Sequence, residues 1–145
     1  MLESACHSLT LEEKMQGKQS ILYLDDEAVC LTVFAEMFRD SYDVRTATNL
    51  SDARRMLMEQ PADIVISDQR MPDIDGTEFL REISELYPTS FRVLLTGSVT
   101  VGGMLSEIGA GIVNLFIAKP WTKDDIGQML ERAAASLRSP DTSSA

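Results

Sequence analysis

Apolar positions fall along this chain in short unbroken runs, separated by longer stretches in which they recur every three or four residues. Four runs are apolar nearly throughout: Ile21-Leu22-Tyr23-Leu24, Ile64-Val65-Ile66, Val93-Leu94-Leu95 and Leu115-Phe116-Ile117. A strand apolar on both alternating sides has both faces covered, as in a parallel sheet packed between helices. A weaker run, Tyr42-Asp43-Val44-Arg45-Thr46, alternates and predicts an edge strand. Between the runs the spacing is helical. Residues 28–39 place Leu31, Phe34, Met37 and Phe38 on one face, and residues 77–86 do the same with Phe79, Leu80, Ile83 and Leu86. Asn49 with Asp52, and Thr122 with Asp125, have the spacing of a capping box, each ahead of an apolar stripe: Ala53, Met56 and Leu57 in the first case, Ile126, Met129, Leu130 and Ala133 in the second. Residues 99–110 are apolar but contain Gly102-Gly103. Each glycine costs about 1 kcal/mol relative to Ala inside a helix, so that helix is expected to be loosely held. Strand and helix alternate with short connections, which predicts one parallel sheet with helices on both faces.

Composition narrows the picture. At 145 residues and 44% hydrophobic, the chain supports one domain with a real core. We assign residues 18–138 to that domain, residues 1–17 to an N-terminal extension and residues 139–145 (SPDTSSA) to a flexible tail. A formal charge of -10 opposes direct binding to nucleic acid. Cys6 and Cys30 form no CxxC pair and His7 is far from any zinc pattern, so they read as a tail thiol and a buried thiol. The lack of a disulfide framework suits a reducing, cytoplasmic location. No apolar run approaches the ~20 residues of a membrane span. The opening MLESACHSLTLEEK lacks the basic start and apolar stretch of a secretion signal.

In an open parallel sheet, ligands bind beyond the carboxyl ends of the strands. Those ends carry Asp25-Asp26-Glu27, Asp68, Thr96-Gly97-Ser98 and Lys119-Pro120. Each signal alone is common; their coincidence on one sheet edge is not. Packed carboxylates repel one another unless a cation sits among them, and a donor set of oxygens alone, without nearby His or Cys, points to Mg²⁺. A carboxylate can also accept a phosphoryl group as an acyl phosphate, given a metal, a cation and a hydroxyl for the phosphoryl oxygens. Asp68 suits the nucleophile, Lys119 the cation and Thr96 the hydroxyl, with Gly97 leaving room beside it. Asp26 suits direct metal contact, with Asp25 helping directly or through water.

LYLDDE, VISDQRMPDIDG, VLLTGS and FIAKPW together resemble the response-regulator receiver domain of two-component signalling, over roughly residues 18–138. The resemblance implies a doubly wound five-stranded sheet of flavodoxin-like order 2-1-3-4-5. It also implies Mg²⁺, a phosphohistidine donor on a sensor histidine kinase or phosphotransfer protein, and an unidentified downstream effector. Phosphorylation of Asp68 would alter the surface formed by segment 99–110, the last strand and the last helix. Asp25, Asp26 and Asp68 would hold the metal, with the backbone carbonyl of Arg70 as a further ligand. Thr96 and Lys119 would grip the phosphoryl group. Phe116 would be the rotating aromatic, lacking the hydroxyl of the commoner Tyr; plain core packing is its alternative. The side chain of Arg70 occupies a position at which the family tunes hydrolysis of the acyl phosphate. The wording DQRMP, LLTG and KPW looks like receivers fused to HD-type phosphodiesterases or to transcription activators.

The remaining residues of VISDQRMPDIDG read as architecture. Asp75 with Gly76 predicts a turn and the cap of the next helix, and Asp73 is expected in solvent. Trp121 is expected to cover the last helix. A haloacid-dehalogenase-type phosphohydrolase is the competing enzyme class. It would place its Asp nucleophile on the first strand within D-x-D, where this chain has Asp25-Asp26-Glu27. A degenerate receiver that binds partners without phosphorylation is disfavoured by the full set of Asp25, Asp26, Asp68, Thr96 and Lys119.

Overall fold

The computed structural model describes residues 18–97 and 108–138. The described elements run β1 (Ser20–Leu24), α1 (Ala28–Phe38), β2 (Asp43–Ala47), α2 (Leu50–Glu59), β3 (Ile64–Asp68), α3 (Gly76–Leu86), β4 (Phe91–Thr96), β5 (Leu115–Ala118) and α4 (Lys123–Arg138). All strand pairs are parallel and the sheet order is β2-β1-β3-β4-β5. This is the doubly wound, flavodoxin-like order. The N-terminal extension, the tail and most of segment 99–110, including Gly102-Gly103, lie outside the described residues.

Period-2 alternation sorts the strand residues into two cores. Ile21, Tyr23, Ile64, Ile66, Val93 and Leu95 meet Leu31, Phe34 and Phe38 of α1 and Ile126, Met129, Leu130 and Ala133 of α4. Leu22, Leu24, Val65 and Leu94 meet Ala53 and Leu57 of α2 and Phe79, Leu80 and Ile83 of α3. Trp121 joins the first cluster and sets its ring edge-on to Phe34 of α1, with centroids 6.3 Å apart. Asn49 caps its helix, with Asp52 answering through its side chain, and the Thr122–Asp125 capping box forms in full. Asn49 Oδ1 accepts the Asp52 N–H at 2.9 Å, and Thr122 and Asp125 exchange side-chain-to-backbone bonds at 3.0 and 3.1 Å.

Three expectations about burial change, the first being that Leu86 at the end of α3 is 61% exposed rather than part of the buried stripe. Leu115-Phe116-Ile117 is only half-buried, because β5 is an edge strand rather than one covered on both faces. Cys30 is partly exposed at the start of α1, where its thiol donates to Glu27 Oε1 at 3.4 Å; it is not a core thiol.

A buried cation escaped the sequence reading. Arg92, the second residue of β4, is 6% exposed and donates to the carbonyls of Ser90 (2.8 Å), Gly111 (2.9 Å) and Ile112 (2.8 Å). Burial pulls its guanidinium below the ordinary arginine range. Gly111 takes the left-handed conformation (φ 78°) at the turn that Arg92 grips, which is where the chain re-enters toward β5.

Candidate functional site

Every strand end at the C-terminal edge of the sheet is tied to a neighbour just beyond the regular ladder. The Asp25 N–H donates to Ala47 O (3.1 Å), Gln69 N–H to Leu95 O (3.0 Å) and Lys119 N–H to Thr96 O (2.9 Å). The backbone that carries Asp25, Asp68, Thr96 and Lys119 therefore belongs to the sheet rather than to free loops, which aims their side chains at one edge, whereas Asp26 and Arg70 follow in the loops.

At that edge Lys119 Nζ lies 2.7 Å from Asp68 Oδ1 and 3.6 Å from Asp25 Oδ2. Asp25, Asp26 and Asp68 each offer a carboxylate oxygen, all within 4.8 Å of one another. Asp25 is fully buried, Asp68 is 7% exposed and Asp26 faces solvent. Thr96, 4% exposed, ends β4 beside Ala118, so it sits one residue from Lys119 across the ladder. The Lys119–Pro120 peptide bond is cis.

The charges are not balanced. Burial pushes the Asp68 carboxyl above the usual aspartate range, aided by the charge of Asp25 and opposed by the hydrogen bond from Lys119. Burial pulls the Lys119 ammonium down, but the bond to Asp68 and the charges of Asp25 and Asp68 outweigh it and leave it raised. Three acids share one ammonium here, which favours a further cation. Asp25, Asp26 and Asp68 offer oxygens alone and suit a small hard ion of the Mg²⁺ type, but the expectation of no nearby thiol is corrected: Cys30 Sγ lies within 4.8 Å of carboxylate oxygens of Asp25 and Glu27.

Two residues that build this site gave no motif signal. Tyr23, fully buried, donates its hydroxyl to Asp25 Oδ2 at 2.7 Å, while the Glu27 N–H donates to Asp25 Oδ1 at 2.9 Å. Burial, then the bond to Asp25, holds the Tyr23 phenol far above its ordinary range, so it stays a donor. The period-2 spacing of Tyr23 and Asp25 was the available sign that they share a side. The second residue is Gln69. Asp75 occupies the N-cap position of α3 but makes no side-chain cap bond; instead Gln69 Oε1 accepts from the Thr77 N–H and hydroxyl, both at 3.0 Å. The expectation that Asp75 caps this helix is thus corrected. Gly76 brings the start of α3 against β3, and the Gln69 amide oxygen at the end of that strand meets Thr77 there. A Cβ on Gly76 would lie 2.3 Å from the Asp68 carbonyl oxygen and 2.8 Å from Leu94 Cδ1, so no larger residue fits that approach.

Asp73 and Asp75 are exposed and, among the described residues, join no cluster able to hold an ion. Arg70 lies in the loop after β3 with its side chain in solvent. Phe116 is half-buried on β5 and packs against the core shared by α2 and α3.

A family model for the response regulator receiver domain matches residues 21–131. The chain belongs to that family. This receiver domain is 28% identical over 120 residues to the hydrogenase transcriptional regulatory protein HoxA of Cupriavidus necator, covering 82% of this chain and 25% of that protein. It is 30% identical over 125 residues to the transcriptional regulatory protein ZraR of Salmonella typhimurium, covering 86% of this chain and 28% of that protein. It therefore spans about a quarter of the length of these curated relatives. Among solved structures, the signal receiver domain of an HD domain-containing protein from Pseudomonas fluorescens Pf-5 superimposes with a TM-score of 0.77 at 27% identity, over 84% of this chain and 98% of that one. Membership places this domain in two-component signalling, in a family whose members typically act as phosphoacceptor switches rather than true enzymes. No described helix is long and apolar enough to cross a membrane.

Proposed function

We propose that this receiver domain is a phosphorylation-dependent switch in which Asp68 accepts a phosphoryl group from a phosphohistidine on a sensor kinase or phosphotransfer protein. The observation that carries the reading is the pairing of Asp68 Oδ1 with Lys119 Nζ at 2.7 Å, with oxygens of Asp25 and Asp26 gathered within 4.8 Å. An Asp68 oxygen forms the new bond to phosphorus as the phosphorus–nitrogen bond of the donor breaks, and the imidazole leaves with the electron pair. Lys119 then moves its ammonium from the carboxylate to the phosphoryl oxygens, and the Thr96 hydroxyl serves another of them. Asp25, Asp26, Asp68 and the carbonyl of Arg70 would hold Mg²⁺, which supplies neutralising charge to the phosphoryl group. Phe116 would follow Thr96 and pass the change to the surface around β5 and α4, where a downstream effector docks. The side chain of Arg70, in solvent at the mouth of the site, would set how fast water reaches the acyl phosphate.

The hydrolase alternative fares poorly on geometry. Its nucleophile belongs on β1, where Asp25 is fully buried and both of its oxygens already accept hydrogen bonds from Tyr23 and Glu27. Acetyl phosphate with Mg²⁺ tests the proposal. Intact mass is expected to show one phosphoryl group per chain, lost in Asp68→Asn and on chelation of the metal. Absence of the adduct, or multiple turnover of assorted phosphate esters, would overturn it.

A further inference from the structure

Loop 69–75 joins the nucleophile strand to α3 and carries Arg70, and Gln69 fastens both of its ends. The Gln69 N–H donates to Leu95 O at 3.0 Å and its carbonyl accepts the Gly76 N–H at 2.9 Å. Its side-chain oxygen accepts twice from Thr77, eight residues on, at 3.0 Å each. A backbone N–H can only donate, so the amide atom facing Thr77 is the oxygen. The first N–H groups of a helix have no partner within the helix, and a side-chain acceptor closes that start. Asp75, the residue placed to do so, does not. Met71 and Ile74 also touch the core, but such contacts are non-directional, whereas the Gln69 bonds fix position.

We propose that Gln69 is a positioning residue for the phosphoacceptor site, a role that rests on the function proposed above. Its clamp seats Gly76 against the Asp68 carbonyl and so fixes the backbone on which the Asp68 carboxylate turns. It also holds the neighbouring Arg70 carbonyl where a metal would meet it. The clamp acts through backbone placement and touches neither metal nor phosphoryl group.

The test compares the whole chain with Gln69→Leu, Gln69→Glu and Asp75→Ala, by hydrogen exchange at Thr77 and by calorimetric titration with MgCl₂. Gln69→Leu removes the acceptor and is expected to speed Thr77 exchange ~5-fold or more and to weaken Mg²⁺ binding by a similar factor. Gln69→Glu keeps the acceptor and retains Thr77 protection, with Mg²⁺ bound at least as tightly. Asp75→Ala leaves Thr77 protection unchanged. Wild-type protection and Mg²⁺ affinity in Gln69→Leu, or equal loss of protection in Asp75→Ala, would overturn the role. Should Gln69→Leu not fold, Thr77→Val removes one of the two donors; it is expected to weaken Mg²⁺ binding to a lesser degree, and unchanged affinity overturns the role. If the wild-type chain neither binds Mg²⁺ nor forms the acetyl phosphate adduct, the proposed function fails, and Thr77 exchange alone still decides whether Gln69 clamps the loop.

Discussion

Asp68 holds its proton more tightly in the folded chain than an unfolded aspartate does, through burial first and then the charge of Asp25. The shift is what remains after the attraction of Lys119, so the ionised carboxylate is a net liability to the fold. Between the ordinary aspartate value of about 3.9 and the raised one, the folded state binds more protons than the unfolded state, so stability falls as pH rises through that window. Asp68→Asn is therefore expected to be more stable than wild type at neutral pH, with the difference shrinking toward pH 4. Urea titrations at both pH values check this; a destabilised Asn variant at pH 7 would contradict it. Tyr23 acts in the opposite sense, since its hydroxyl serves a buried carboxylate. Tyr23→Phe keeps the ring and removes a bond to a charged acceptor, an expected loss of about 2 kcal/mol read from the urea midpoint at constant m-value.

At the scale of elements, β4 works as a rod with Thr96 at one end and Arg92 at the other, on the face it shares with Leu94. Arg92 grips Gly111 and Ile112, the point where the chain returns toward β5. Arg92→Met would leave carbonyls of Ser90, Gly111 and Ile112 without their donor, an expected cost of about 3 kcal/mol in chemical denaturation. Arg92→Lys is expected to recover little of it, because one ammonium cannot reproduce a planar fork of donors. Arg45 of β2 plays a related part at the end of α2, where it donates to Met56 O at 2.9 Å and Gln60 O at 2.7 Å. Cations at carbonyl-rich helix ends interact favourably with the helix dipole.

At the scale of the whole molecule, the site gathers residues from the ends of β1, β3, β4 and β5, and a cation held by Asp25, Asp26 and Asp68 would join the adjacent ends of β1 and β3 in the middle of the sheet. Mg²⁺ at a hundred times its dissociation constant is expected to raise stability by about 2.7 kcal/mol, an effect absent in Asp26→Asn; thermal melts with and without chelator read it. The strands, most of each helix stripe and the capping residues Asn49 and Thr122 were legible in the chain, because burial and capping are local rules that act on residues a few positions apart, whereas the strand order came with the family resemblance. The placement of Asp25, Asp26, Asp68, Thr96 and Lys119 at one sheet edge was legible as well, since a parallel sheet sends each strand end there. Other features needed the tertiary structure. Half-burial of β5 follows from which strands lie at the edges, and the buried bonding of Arg92 depends on carbonyls about twenty residues away. The exchange of Gln69 for Asp75 at the start of α3 was hidden for the same reason. The nearest polar side chain in sequence is not the nearest acceptor in space once Gly76 has docked on Asp68, and only the packed chain decides which atoms meet.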